Sequence, residues 1–305
     1  MAGGGKRVVY TALAGNLAIA ATKLVAALLT GSSSMLTEAI HSAVDTGNQG
    51  LLLYGMKRSR RAPDIVHPLG YGRELYFWSF IVALLIFTGG AGVSLYEGVA
   101  HIRHPAPIDR PLLNFIVLGA AFLFEGSSWY VAHREFRRAQ GDMGWWEALR
   151  RSKDPTTFVV LFEDSAALVG IVIAAVFIGL SIAMDDPRLD GVGSILIGIL
   201  LGVVAFLLAR ESKGLLIGER ANPALSADIA AIARREAGVC AVNNVLTVHL
   251  APDQVLVTIS LDFDDSLDTR RIEAAVTAIE RQARAAHPEI VNVFIRPQAR
   301  EALSS

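Results

Sequence analysis

Cysteine is almost absent from this chain: Cys240 stands alone among 305 residues. A lone thiol excludes an intrachain disulfide framework and any cysteine-rich metal cage. Cys240 itself is expected to be a small buried apolar side chain. Charge is also scarce, at 19% of residues against about 25% in an ordinary soluble domain. Neither sign dominates, since 28 Lys and Arg oppose 29 Asp and Glu for a net charge of −1. That balance removes the basic footprint a nucleic-acid partner would require. No nucleophile–base pair and no nucleotide-binding loop stands out, which argues against an enzyme. The opening MAGGGKRVVY runs into an apolar stretch with no A-x-A cleavage site, as a signal-anchor-like first helix does.

What the chain has instead is hydrophobic length. Apolar residues make up 52% of it, and its mean hydropathy is positive. A bilayer core takes about 20 mostly apolar residues per helix. Six segments meet that length: residues 8–30, 35–56, 75–99, 112–132, 155–184 and 191–209. Asp154 and Pro155 stand where an N-cap and first helical position belong in the fifth. Basic residues fall in alternate connections. Lys6 and Arg7 precede the first segment, and Lys57, Arg58, Arg60, Arg61 and Arg73 follow the second. Arg134, Arg137, Arg138, Arg150, Arg151 and Lys153 follow the fourth; Arg210, Lys213 and Arg220 follow the sixth. The positive-inside rule then puts both termini in the cytoplasm. These features predict an α-helical membrane protein with six transmembrane helices over residues 1–210.

Residues 211–305 have the composition of a soluble domain. Residues 223–236 read as a helix closed by Gly238, and 242–250 and 255–263 alternate as strands joined at 251–254. Residues 267–286 form an amphipathic helix and 290–296 a last strand. An α-β-β-α-β order predicts a small two-layer α/β domain.

The stretch that carries chemistry is EAIHSAVDTGNQ, residues 38–49, inside the second apolar segment. Glu38, His41, Asp45 and Asn48 recur at i, i+3, i+7 and i+10, one face of a helix. Each charge at the centre of a bilayer costs roughly 2.5–3.5 kcal/mol on insertion scales. Such a stripe therefore faces water, a partner helix or a metal. Asp45 lies 12 residues beyond Ser33, and Asp164 lies 10 beyond Asp154. At 1.5 Å per residue those are about 18 Å from one edge and about 15 Å from the other. In a core about 30 Å thick the depths coincide near the midplane. His41, Asp45 and Asp164 are thus expected to meet, with Glu163 as a fourth ligand, an outer-shell group or a partner for a basic side chain. One imidazole with two or three carboxylates suits zinc first, then cobalt, iron or manganese. The same groups take protons near neutral pH, so exchange of metal for protons is chemically available.

Other polar residues are weighed against simpler roles. Glu125 is a pathway residue or a partner for nearby polar groups. Lys23 is a counter-ion for a buried carboxylate or a snorkelling side chain. Ser127 is expected to bond between helices, and Asp190 to cap its own helix or line the pathway. In the loop APDIVHPLGYGRELYFW, Asp64 and His67 are either solvated members of a rigid turn, or a loop metal site or cytoplasmic entry point. The acids between Asp262 and Asp265 are either a solvated strand end or a weak metal-binding cluster.

Together these motifs resemble the cation diffusion facilitator family of zinc transporters. The matching pieces are TEAIHSAVDTGNQ, PDIVHPLGYGRELYFW, SLYEGV and DPTTFVVLFEDSAALVG, the last similar to the branch that contains zinc transporter 9. The resemblance implies a homodimer with a ferredoxin-like C-terminal cytoplasmic domain that assists dimerisation. It also implies alternating access with metal exported in exchange for protons. Carried onto this chain, the family's transport positions are His41, Asp45 and Asp164. The fourth, one turn before Asp164 and usually His or Asp, is Val160 here, leaving Glu163, Asn48 or water to complete the shell. Tyr71 replaces another common loop histidine, and His249 and His287 are the only histidines of the tail.

The expected function is efflux of a divalent cation, zinc foremost, by proton antiport. The alternatives are an iron, cobalt or manganese exporter and a membrane protein whose metal site is structural or sensory. No cofactor is expected beyond the transported ion. The expected partners are divalent metal ions, protons, the lipid bilayer and a second copy of the chain. The expected location is the bacterial inner membrane.

Overall fold

In the computed structural model, the backbone is described for residues 2–108, 110–140 and 155–299. The expected N-cap Asp154 and the basic Arg150, Arg151 and Lys153 lie outside the described residues, as do the side chains of Lys6, Arg7 and Arg138. The chain divides into two compact units, residues 1–57 with 75–213 and residues 58–74 with 214–305.

The first unit is helical. It contains α1 (Ala2–Thr30), α2 (Ser33–Ser59), α3 (Glu74–Leu85), a π-helical segment (Ile86–Gly92), α4 (Val93–Arg103), α5 (Pro111–Gln140), α6 (Pro155–Met184) and α7 (Arg188–Ile217). Among the described residues, four stretches are long and apolar enough to cross a membrane: Glu74–Arg103, Pro111–Val131, Val159–Met184 and Arg188–Ile217. In α1 the apolar stretch among the described residues is the shorter Asn16–Thr30, and α2 carries the polar stripe. Outward faces are apolar: Leu28, Leu123 and Phe206 are 75%, 76% and 66% exposed. Such side chains suit a lipid solvent rather than water.

Packing inside this unit relies on small residues. A Cβ on Gly98 would lie 2.7 Å from the Gly191 carbonyl oxygen, and one on Gly191 would lie 2.8 Å from that of Gly98. The backbones of α4 and α7 touch there because neither residue carries a side chain, a recurrent device in membrane helix pairs.

The α1–α2 corner is built by capping. Gly31, at φ +67°, donates its N–H to Ala27 at 2.9 Å and ends α1 in the left-handed region. The Ser32 hydroxyl accepts from the Met35 N–H at 3.2 Å. Asp190 accepts from the Ser33 N–H at 2.6 Å and from the Ser32 hydroxyl at 3.1 Å. The carboxylate expected to cap α7 therefore caps α2, whose unsatisfied first N–H groups and positive dipole end attract it.

Between α5 and α6, Ser128 rather than Ser127 makes the cross-helix bond. Ser127 returns its proton to the Phe124 carbonyl of its own helix at 2.7 Å. One residue is about 100° around a helix, so only Ser128 faces α6.

The second unit holds the 58–74 loop, α8 (Pro223–Arg235), β1 (Val239–Ala251), β2 (Gln254–Phe263), α9 (Thr269–Ala286) and β3 (Ile290–Pro297). The sheet runs β1-β2-β3, with β1 antiparallel and β3 parallel to β2. Alternation along β2 buries Val255, Val257, Ile259 and Leu261 against Ile229 of α8 and Ile279 of α9. Asn222 caps α8 through the Ala224 N–H at 3.0 Å, with Pro223 in the first turn. Asp268 caps α9 through the Arg271 N–H at 2.8 Å.

Cys240 is exposed, contrary to the expected burial. It sits where the β1–β2 register skips between Val239 and Ala241, so a bulge turns it away from the core. The 58–74 loop packs on the β1–β2 turn: a Cβ on Gly72 would meet the Leu250 carbonyl oxygen at 2.7 Å.

Candidate metal pathway in the helical unit

The polar stripe of α2 is buried along its whole length. Glu38 and Asn48 are 0% exposed, His41 1% and Asp45 8%. Helical spacing aligns them, and partners from two other helices, α1 and α6, bond to them. Glu38 pairs with Lys23 of α1, Nζ to Oε2 at 3.1 Å, and Lys23 also donates to Ser42 Oγ at 2.8 Å. Lys23 is thus a counter-ion rather than a snorkelling side chain. His41 Nδ1 lies 3.4 Å from Asp45 Oδ1, one turn along. Asn48 donates to Glu163 Oε1 of α6 at 2.7 Å.

Glu163 and Asp164 point to different helices, as neighbouring helical residues must. Glu163 takes the Asn48 amide, whereas Asp164 accepts from Ser128 of α5 at 3.0 Å. Asp45 lies within electrostatic reach of Glu163, Glu125, Asp164 and Lys23. Glu125 is buried on α5. Four carboxylates from three helices therefore share one neighbourhood. Both ring nitrogens of His41 and Asp45 Oδ1 have no hydrogen-bond partner. A buried polar group left this way is costly unless something polar or cationic engages it. Among the described residues, no three His, Cys, Asp or Glu side chains are grouped tightly enough to hold one ion. Val160 is half-buried on α6 and offers no donor.

Reading the residues alone missed three contributors. Ser42, Ser128 and Gly170 look like ordinary small residues of membrane helices. A Cβ on Gly170 would lie 2.5 Å from Glu38 Oε1, so this glycine makes room for the carboxylate. The signal available for Ser42 was its place on the stripe, one turn beyond Glu38.

Asp64 and His67 belong to the second unit. Asp64 Oδ1 accepts from the N–H groups of Val66 and His67 at 2.9 and 2.7 Å, and Oδ2 from the Tyr71 hydroxyl at 2.6 Å. The Tyr71 hydrogen bond, then the His67 N–H, hold the Asp64 carboxyl below the usual aspartate range. The bond to Asp64 pushes the Tyr71 phenol up. The His67 ring lies 4.2 Å from that of Tyr71, centroid to centroid. Asp64 therefore organises a turn. Asp264 behaves similarly, since its Oδ1 accepts from the Ser266 N–H at 2.8 Å.

Apolar rods with lipid-suited faces and a buried ionisable path between them define an integral membrane protein with a charged interior route. The chain belongs to the cation efflux family, whose transmembrane domain matches residues 9–217. It is 37% identical over 251 residues to the human "Proton-coupled zinc antiporter SLC30A9, mitochondrial", covering 81% of this chain and 44% of that protein. It is 38% identical over 215 residues to Metal tolerance protein C4 of Arabidopsis thaliana, covering 70% of this chain and 47% of that one. Zinc transporter ZitB of Escherichia coli is 25% identical over 231 residues, 75% and 67% of the two chains. The chain thus matches less than half the length of the first two relatives. Family membership marks residues 9–217 as a cation efflux transmembrane domain.

Proposed function

We propose that this protein exports a divalent cation, zinc foremost, by exchanging it for protons across six membrane-spanning helices. The observation that carries the reading is the α2–α6 junction. His41 and Asp45 stand unsatisfied beside Glu163 and Asp164, and the Asn48–Glu163 hydrogen bond of 2.7 Å ties the two helices at that point. The relatives named as a zinc antiporter and a zinc transporter support the choice of ion and counter-ion.

His41, Asp45, Asp164 and Glu163 form the coordinating set. A full shell forms when Glu163 turns from Asn48 and Asp164 from Ser128 toward the ion. Those two bonds are neutral donors to carboxylates, so rotation exchanges one set of partners for a cation. When the ion leaves, protons take its place on the same groups. Glu38, Asn48 and Glu125 line the path. Asp64 and His67 shape the loop that follows α2.

Residues 1–210 form the transport domain, and residues 211–305 a ferredoxin-like domain that holds two copies of the chain together. The strand and helix order of the second unit supports that fold. The alternating basic connections support cytoplasmic termini, and the bacterial inner membrane suits that orientation.

The test is uptake into proteoliposomes under an imposed pH gradient, with zinc, manganese, iron and cobalt compared. Zinc uptake that dissipates the gradient and disappears in Asp45→Ala and Asp164→Ala supports antiport. Zinc binding by folded wild-type protein without ion movement favours a structural or sensory site.

A further inference from the structure

Lys23 is the one lysine or arginine in the buried set of described residues. No coordinating role falls to it, yet it occupies the charged interior. Its Nζ is fixed by Glu38 Oε2 at 3.1 Å and Ser42 Oγ at 2.8 Å. Those partners are one turn apart on α2. Ser42 follows His41 directly and precedes Asp45 by three positions. The Lys23 charge acts on Glu38, His41, Asp45 and Glu125 alike. Glu38 has little freedom to withdraw, because its Oε1 fills the space a Gly170 side chain would take. The ammonium is thereby clamped by α2, with α6 backing its counter-ion.

A fixed positive charge opposes a 2+ ion nearby, and the opposition grows as the dielectric falls. A site of three carboxylates and an imidazole without such a charge would hold a divalent ion tightly and release it slowly. We propose that Lys23 is a release-setting residue: its clamped ammonium, tempered by Glu38, weakens the hold of the His41–Asp45 region on a divalent cation so that bound metal leaves. The inference rests on the metal-site reading above. It assigns Lys23 and Glu38 opposite effects on affinity, which a purely structural ion pair would not have.

The experiment measures zinc binding to the full-length protein in detergent by titration calorimetry at fixed pH, alongside zinc turnover in proteoliposomes. Lys23→Met removes the charge and is expected to lower the zinc dissociation constant at least about tenfold while slowing turnover. Glu38→Gln leaves the ammonium uncompensated and is expected to raise the constant by about the same factor. The double variant is expected to return to within about threefold of wild type, and Lys23→Arg to stay there. Should Lys23→Met fail to fold, Lys23→Gln replaces it, and Glu38→Gln still carries the opposite sign. Equal or weaker binding in the Lys23 variants overturns the assignment, as does tighter binding in Glu38→Gln. If Asp45→Ala abolishes binding while Lys23→Met leaves it unchanged, only the Lys23 assignment fails. If wild type binds no zinc, or Asp45→Ala binds it equally well, the metal-site reading itself fails.

Discussion

Asp45 and Asp64 are the same residue put to opposite uses in the two units. Asp64 is exposed, and both its oxygens are taken by donors within its own turn. Asp45 is buried, faces three other carboxylates, and keeps one oxygen without a hydrogen bond. A carboxylate whose donors are all local stabilises a shape. A buried carboxylate crowded by its own kind stores an electrostatic demand that a cation or protons can meet. The contrast separates the two kinds of carboxylate without reference to either residue's sequence neighbours.

The largest effect that would sharpen this contrast is Asp45→Ala. It is expected to reduce zinc uptake at least about 100-fold, since the loss of a coordinating group exceeds that of its outer supports. Elution as a folded species in detergent would accompany it. Retained uptake would break the comparison outright. Next is Asn48→Leu, which strips Glu163 of its amide donor. Leaving that buried acceptor unpaired is expected to cost about 1–3 kcal/mol, read as a lower melting temperature in detergent. An unchanged melting temperature would show that the α2–α6 tie does not hold the helices together.

Asp64→Ala is expected to leave uptake within about twofold of wild type, because the side chain is exposed and serves its own turn. Hydrogen exchange at the Val66 and His67 amides should rise instead. The pH dependence has a definite sign. The Asp64 carboxyl is held below its ordinary value by the Tyr71 hydrogen bond first and the His67 N–H second. Its contribution to the turn is full above the ordinary aspartate pKa, about 3.9, and is lost as pH falls through the lowered value. Amide protection in this loop should therefore be flat from neutral pH to about 5 and fall only in stronger acid. Loss of protection between pH 7 and 5 would contradict the bond to Tyr71. The smallest effect concerns Cys240. A maleimide should label this single exposed thiol in the folded protein without denaturant and without change in uptake.

Much of the helical unit was legible because hydrophobic length and helical period are local signals. The stripe at 38, 41, 45 and 48 needs only 3.6-residue geometry to be seen. The helix α1, its Lys23 and the partner Glu38 are separated by a turn, and which of the two fates Lys23 meets depends on packing. Asp190 shows the limit more sharply. Its position at a helix start suggests a cap on α7, yet the N–H groups it satisfies belong to a helix about 157 residues earlier. Nothing local encodes that pairing. Cys240 was misread for a related reason, since a one-residue bulge reverses which face a strand residue takes. The 58–74 loop reads as a connector between two helices, but Gly72 fits against a strand turn far along the chain. Among the candidate residues, the buried ionisable side chains were legible from charge and helical period, whereas their neutral neighbours Ser42, Ser128 and Gly170 carry no chemical signature of their own.

The π segment Ile86–Gly92 has a consequence for how this rod can change in length. A π turn takes one residue more than an α turn for the same advance. Everything after Val93 is therefore rotated by about 100° relative to an uninterrupted helix that began at Glu74. Gly98 faces Gly191 only in that shifted phase. The segment thus acts as a vernier between the two ends of one membrane rod. Deleting a single residue within it would straighten the backbone into ordinary α-helix and leave the Gly98 face on α7, whereas straightening it at full length would swing that face away by about 100°.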